Sequence, residues 1–187
     1  MTVFQKKLLR FLGVVLLLTV LFAVGVLYFI GFFNAPQIEL TEKGPYTLVC
    51  LSNTGPYYKT IKKSKKVTQM LAGTSVTILE PCGLYYDDPK TVPQNKLRSK
   101  GGVIVRGIVT AKPPLEIVTL PRRKVVVGTI KANPGLVEVK VYPKLHDWLW
   151  RKGLTAGTPF LEIYHKNGKV ECQIPVAVPP ADSTCAK

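Results

Sequence analysis

An uncharged run near the N-terminus constrains this chain more than any other feature of its sequence. Residues 11–33 (FLGVVLLLTVLFAVGVLYFIGFF) contain neither a charged residue nor a proline. As a helix they would extend about 35 Å at 1.5 Å per residue, and the apolar core of a bilayer is about 30 Å thick. Lipid offers no partners for backbone N–H and C=O groups, so a spanning segment of this kind must be helical. The sequence therefore predicts a transmembrane helix at 11–33.

The charges that flank this run predict its orientation. Lys6, Lys7 and Arg10 precede it, whereas Lys43 is the single basic residue between it and residue 53. Because basic residues stay on the cytoplasmic side, we expect a cytoplasmic N-terminus and a domain on the far side. A basic cluster at 62–66 lies beyond that window and favours the alternative, a domain in the cytosol. A cleaved signal peptide is disfavoured, because its apolar region is about 7–15 residues long and ends in small residues, unlike 31–36 (GFFNAP).

The remainder of the chain is predicted to form one basic domain. We expect a basic N-terminus at 1–10, a linker at 34–45, the folded domain at 46–178 and a tail at 179–187. The chain has 26 basic and 11 acidic residues, and three of the basic ones precede the apolar run, so the remainder carries a net charge of +12. This excess indicates an anionic neighbour, which could be nucleic acid, a membrane surface or an acidic ligand.

Two similar series of elements follow one another in the predicted domain. The first comprises a strand at 46–52, a helix at 57–71 and strands at 76–79, 83–86 and 102–109. The second comprises strands at 115–120 and 125–130, a helix at 143–152 and strands at 160–164 and 169–176. The order strand, helix, strand, strand thus occurs twice. This order predicts an α+β fold with an antiparallel sheet, two helices and a cleft between the halves.

Four short motifs carry a family resemblance. They are 53–57 (NTGPY), 83–89 (GLYYDDP), 92–98 (VPQNKLR) and 160–164 (FLEIY), the last followed by 174–176 (IPV). In this order and spacing they resemble the GyrI-like family, which includes gyrase-inhibitory proteins and effector-binding domains of multidrug-sensing activators. With its apolar N-terminus, the chain is similar to the membrane-anchored branch typified by testis-expressed, endoplasmic-reticulum-anchored proteins. The resemblance implies a duplicated strand-helix-strand-strand fold that holds a small, often cationic or amphipathic ligand between its repeats.

Glu162 is the strongest candidate for a ligand contact. It lies within the apolar strand 160–164, where a carboxylate is costly to bury unless it has a partner. A period of two puts it on one face with Phe160 and Tyr164, and alignment of the repeats matches Tyr86 to Tyr164. Aromatic faces and one carboxylate are what a cation-binding pocket requires. The resemblance implies the same position for the acidic contact of the family. The alternative is a structural ion pair between Glu162 and a neighbouring Arg or Lys.

We therefore expect non-catalytic ligand binding, without a cofactor or a metal. The expected ligand-binding residues are Glu162, Tyr164, Tyr86, Tyr58 and Trp148. The alternative is a hydrolase in which Glu162 is the general base and a tyrosine is the acid, since a few members of the family resemble hydrolases. His146 and His165 have no Ser or Cys at motif spacing, so neither is expected to be catalytic.

A basic helix face is a second candidate surface. Lys59, Lys62, Lys63 and Lys66 share one side of the predicted helix at 57–71. Such a face is either simply solvated or in contact with anionic phospholipid, which contributes about 1 kcal/mol per residue near the surface. An adaptor that binds a lipid or a protein partner through this helix is a third functional class. Nucleic acid is not an expected partner, because the sequence has no helix-turn-helix, no zinc site and no series of stacking aromatics.

Overall fold

The computed structural model of the protein describes residues 2–107 and 109–177. The chain divides into two compact units, the first ending at Ala35 and the second beginning at Pro36, and each is described by itself. The predicted tail at 179–187 lies outside the described residues.

The first unit is a single helix, α1 (Val3–Phe29), which is long and apolar enough to cross a membrane by length and composition. None of its residues is buried, and signal sequences near an N-terminus share these properties. It begins eight residues before the apolar run because the Thr2 side chain accepts a hydrogen bond from the Gln5 amide, and the Gln5 side chain accepts one from Thr2. It ends before the predicted residue 33, close to Gly31, whose φ of 76° favours glycine.

The second unit is built on an antiparallel sheet. Its strands are β1 (Gln37–Lys43), β2 (Tyr46–Thr54), β3 (Thr77–Tyr85), β4 (Arg98–Arg106), β5 (Glu116–Leu120), β6 (Arg123–Lys131), β7 (Thr155–Ala156), β8 (Phe160–Tyr164) and β9 (Lys169–Ala177). Eight of them lie in the order β1-β6-β9-β8-β3-β4-β2-β5, and β7 pairs with β9. This order reads as two equivalent halves that meet where β8 pairs with β3, which confirms the predicted α+β fold.

The two halves exchange their outermost strands. β1, which precedes the first half along the chain, pairs with β6 of the second half, and β5, which precedes the second half, pairs with β2 of the first. Residues 34–45 are therefore not a linker as the sequence predicted. β1 was missed because it is an edge strand with a mostly exposed surface, and its pairing with β6 over the full strand defines it.

Each half packs a helix directly against the backbone of the sheet. The helices are α2 (Tyr58–Met70), a short α3 (Val137–Lys140) and α4 (Tyr142–Arg151). A Cβ atom added to Gly101 of β4 would lie 2.1 Å from the Thr60 carbonyl oxygen of α2. A Cβ atom on Gly128 of β6 would lie 2.6 Å from the Val141 side chain, which precedes α4. Glycine at these two positions therefore sets how closely the helices approach.

The other face of the sheet curls in on itself. It carries a buried apolar cluster that draws on both halves, including Leu48, Cys82, Leu84 and Leu161. The Tyr46 hydroxyl on β2 lies 3.0 Å from Nε2 of Gln173 on β9, although the sheet order puts three strands between these two. In a flat sheet strands four positions apart would be about 19 Å from each other. The sheet therefore has a helix-bearing face and a curled inner face.

Candidate functional site

Glu162 lies at the seam between the two halves. It is in the centre of β8, opposite Gly83 on β3 and opposite Cys172 on β9. Cys172 packs in the core cluster with Leu145 of α4, so this register points Glu162 to the helix-bearing face. Its exposed fraction is 8%, and such burial of a carboxylate requires polar partners.

Three tyrosine hydroxyls supply those partners. Tyr142 donates a hydrogen bond of 2.7 Å to Oε1 of Glu162, and Tyr164 donates one of 2.6 Å to Oε2. Tyr85 reaches the same Oε2 at 3.2 Å and lies 2.9 Å from the Tyr164 hydroxyl. The ion pairs within residues 2–107 and 109–177 do not include Glu162, so the alternative of a structural ion pair is not what this structure shows.

Burial dominates the electrostatics of this cluster. Loss of solvation raises the pKa of Glu162, and the hydrogen bonds from Tyr164, Tyr142 and Tyr85 act in the opposite direction. Burial, followed by the charge of Glu162, also raises the pKa of Tyr142 and Tyr164 well above their usual value, and the same two causes act on Tyr85. The three phenols therefore stay protonated and act as donors.

Further aromatic rings surround the four residues. The Tyr57 ring meets Tyr85 edge to face, with centroids 4.8 Å apart. On the other side Tyr142 stacks on Phe160 with centroids 6.0 Å apart, and His146 lies 6.2 Å from Phe160. Aromatic side chains from both halves thus enclose a single carboxylate. We refer to Glu162, Tyr85, Tyr142 and Tyr164 as the Glu162 cluster.

The structure places some of the predicted ligand-binding residues elsewhere. Glu162 and Tyr164 lie together as predicted, but Tyr86 packs against the apolar cluster of the inner face. The alignment of repeats was one residue out, because Gly83 pairs with Glu162 and so Tyr85, not Tyr86, shares its face. Tyr58 is 65% exposed, and the preceding residue in the chain, Tyr57, is the one that contacts the cluster.

Trp148 is also outside the Glu162 cluster. It packs, partly buried, against the core beneath α4 and lies 6.0 Å from the Lys152 ammonium group. Tyr142, which the sequence reasoning missed, had a usable signal. It directly precedes Pro143, and Pro near the N-terminus of a helix places Tyr142 at the first turn of α4.

Asp87 has a structural role in the motif at 83–89. Its carboxylate accepts hydrogen bonds from the Arg98 side chain, the shortest at 2.6 Å, and one from the Arg98 amide. This pairing lowers the pKa of Asp87. The Tyr57 hydroxyl donates to the Asp87 carbonyl oxygen at 2.7 Å, so the motif fixes the start of α2 beside Tyr85.

The predicted basic face is on α2. Lys59, Lys62 and Lys66 are exposed and Lys63 is half-buried, whereas Thr60, Ser64 and Val67 are buried against the sheet. Three of the four predicted lysines therefore lie on the exposed side of the helix, and its buried side includes two polar residues, Thr60 and Ser64.

Comparisons with solved structures identify the fold. The C-terminal domain of EcmrR is similar, with a TM-score of 0.63 and 18% identity over 76% of this chain and 98% of that one. An EcmrR–DNA complex aligns with a TM-score of 0.64 and 15% identity, over 92% of this chain and 68% of that one. SAV2435, solved with tetraphenylphosphonium, gives a TM-score of 0.53 and 16% identity over 75% of this chain and 94% of that one. No curated protein matches the chain.

The family model of the GyrI-like small molecule binding domain matches residues 36–177, which begin one residue before β1 and end with β9. This match covers most of the chain and agrees with the duplicated architecture. The chain therefore belongs to the GyrI-like family of small-molecule-binding domains.

Proposed function

We propose that this protein is a membrane-anchored domain that binds a small cationic or amphipathic molecule at the Glu162 cluster without altering it. The observation that supports this most is the burial of one carboxylate among phenols, without a basic partner within the described residues. An isolated buried charge is costly for folding, so a cation that neutralises it would gain both Coulombic and cation–π attraction.

Access to the carboxylate requires a tyrosine to move. Glu162 is 8% exposed, and all three of its phenol partners come from the walls around it. The Tyr85 hydrogen bond is the longest of the three, at 3.2 Å. Tyr85 is therefore the ring that we expect a ligand to displace from the carboxylate, and its hydroxyl already has a second partner in Tyr164 at 2.9 Å.

Tetraphenylphosphonium is a suitable probe, because a similar fold has been solved with it. We expect the full chain in lipid nanodiscs to bind this cation saturably in a calorimetric titration. Glu162→Gln should weaken binding by at least about tenfold, the usual effect of losing one charge-assisted contact. Glu42→Gln is the matched control, since Glu42 is an exposed carboxylate on β1. Equal binding by Glu162→Gln and the wild type would refute the assignment.

A hydrolase is the second candidate, because the pKa of Glu162 is raised, as in many general bases. Against it, both carboxylate oxygens already accept hydrogen bonds from phenols, which makes the group a weaker base. The two functions are separated by product analysis after long incubation with a reactive ester or epoxide. Turnover that is lost in Glu162→Gln would establish the enzyme.

The proposal includes membrane attachment through α1, with the N-terminus in the cytoplasm and the domain on the far side, or alternatively in the cytosol. Protease accessibility in intact and opened vesicles distinguishes the two arrangements. The basic face of α2 (Lys59, Lys62, Lys63 and Lys66) would then contact anionic lipid. Replacement of all four residues by Gln should abolish salt-sensitive binding to phosphatidylserine vesicles and leave tetraphenylphosphonium binding unchanged.

A further inference from the structure

The curled inner face carries a polar cluster that the Glu162 cluster does not use. His165, which follows β8, lies between two carboxylates: its Nδ1 is 3.4 Å from Glu80 and its Nε2 is 3.5 Å from Glu171. Glu171 is opposite Ile163 on β8, and Ile163 points away from the face that holds Glu162. The two acidic sites are therefore on opposite faces of the same strands.

Two cavities meet at this cluster. One has a volume of about 510 Å³ and the other about 420 Å³, and His165 and Glu171 line both. The larger cavity has apolar walls from Tyr46, Leu79, Ile104 and Ile163. The charged residues Lys43, Glu80 and Arg106 also line it. A volume of this size, with apolar walls and a few polar groups, is typical of a small-molecule site.

An acceptor that lines this cavity, and another close behind its wall, lack donors within the described residues. Oε2 of Glu80 is buried and has no hydrogen-bond partner within the described residues, and Oε1 of the fully buried Gln173 has none there either. The amide nitrogen of Gln173 donates to Tyr46 and Glu171, which both line the cavity, so this buried amide lies behind the lining residues. Buried acceptors without donors are uncommon, and a ligand with N–H groups in the cavity would supply a donor to Glu80.

Glu80 is the carboxylate left for a ligand. Glu171 forms an ion pair with the Lys43 ammonium group at 3.2 Å. Within the described residues, the side-chain contact of Glu80 is with His165, at 3.4 Å. Arg106 is exposed and also lines the cavity, and the ion pairs within the described residues do not join it to Glu80. The cavity thus has the carboxylate of Glu80, with one oxygen that lacks a hydrogen-bond partner within the described residues, beside apolar walls.

We propose that this cavity is a second ligand site, which takes a primary amine on an apolar body. The ammonium group would donate to Glu80, and the alkyl chain would lie against Leu79, Ile104 and Ile163. The site requires N–H donors, and this requirement distinguishes it from the Glu162 cluster, where a quaternary cation suffices. The two sites then bind independently, one on each face of the sheet.

The test uses two probes with the same charge and chain, hexylamine and hexyltrimethylammonium, with the full chain in nanodiscs. Binding is followed through the isoleucine methyl NMR signals of Ile104 and Ile163. We expect hexylamine to shift both signals saturably, and hexyltrimethylammonium to bind there at least about tenfold more weakly. Equal shifts from the two probes, or no saturable shift from either, would overturn the proposal.

Variants separate this site from the first one. Glu80→Gln should weaken hexylamine binding about tenfold and leave tetraphenylphosphonium binding unchanged, and Glu162→Gln should do the reverse. Hexylamine binding that is lost in Glu162→Gln and kept in Glu80→Gln would show that the amine occupies only the Glu162 cluster. Glu80→Asp keeps the charge and should bind with intermediate affinity, so it serves if Glu80→Gln does not fold. Glu42→Gln is again the control on both probes.

Discussion

The two halves of the sheet share one backbone plan but hold their helices by different chemistry. In the first half the inner side of α2 is partly polar. Thr60 lies 2.8 Å from the Ser99 hydroxyl and Ser64 donates to the Gly102 carbonyl oxygen at 2.7 Å, whereas Val67 packs in an apolar cluster with the sheet. In the second half the inner side of α4 is apolar, with Leu145 and Leu149 buried in a cluster of aliphatic side chains. The two halves thus share their backbone geometry but differ in the residues that hold each helix to the sheet.

This difference has a counterpart at the seam. Where the second half supplies Glu162, the first half supplies Gly83 directly opposite, and Tyr85 beside it. A Cβ atom on Gly83 would lie 2.9 Å from the Tyr85 hydroxyl, so the glycine leaves room for that phenol to reach the carboxylate. One half therefore provides the charge and the other provides space and a donor, which makes a single site from two similar units.

Leu145→Ala is expected to have the largest effect on stability. Leu145 is on α4 and is fully buried. Truncation of such a side chain lowers the free energy of unfolding by about 2–5 kcal/mol, because burial is lost and a cavity remains. Urea unfolding, followed by tryptophan fluorescence, measures the change in free energy. Val139→Ala is the control, because that residue is exposed and should change stability little. A loss below about 1 kcal/mol would show that α4 is not held by apolar packing.

Ser64→Ala tests the polar half and should have a smaller effect. It removes the donor to the Gly102 carbonyl oxygen in a buried position, which costs about 1–3 kcal/mol. Hydrogen exchange should show faster opening of α2 amides, with little change in α4. Thr68→Ala, which loses only a local bond to the Ser64 carbonyl within the helix, is the comparison. Uniform acceleration in both helices would mean that the halves do not open separately.

The fold was accessible from the sequence because its signals are local and repeated. Apolar strands, turn residues and a Pro at the start of α4 predict most elements. Because the same series of elements occurs twice, it also predicts two similar halves that meet at a seam. The edge strand β1 could not be predicted in this way, because its partner β6 lies about 85 residues along the chain. The site was predicted only in part. Glu162 and Tyr164 follow from a period of two, but the choice between Tyr85 and Tyr86 depends on strand register, which only pairing defines.

Glu162→Gln should stabilise the fold slightly while it weakens cation binding by at least about tenfold. Because burial raises the pKa of Glu162, the native state binds a proton more tightly than the unfolded chain. The stability contributed by this group is therefore present at low pH and lost as pH rises from about 4.5, the ordinary value, through the raised pKa. At pH 7 we expect the variant to be more stable by about 1 kcal/mol, because it no longer buries an ionised carboxylate. Thermal unfolding across pH 4 to 8 measures the difference, and a variant that is less stable at pH 7 would contradict it.

The smallest expected effects distinguish the three phenols. Each hydrogen bond stabilises the charged form of Glu162, so each Tyr→Phe change should move the onset of cation binding to higher pH. Two donors remain in every variant, so affinity at pH 6 should fall by no more than about tenfold. The shift should be larger for Tyr164→Phe and Tyr142→Phe, whose bonds are 2.6 and 2.7 Å, than for Tyr85→Phe at 3.2 Å. Tyr85→Phe removes a bond that the ligand is expected to break in any case, so above the titration range it should bind as well as the wild type. A Tyr85→Phe shift that exceeds the other two would mean that the first half contributes the largest part of the charge stabilisation, contrary to the bond lengths.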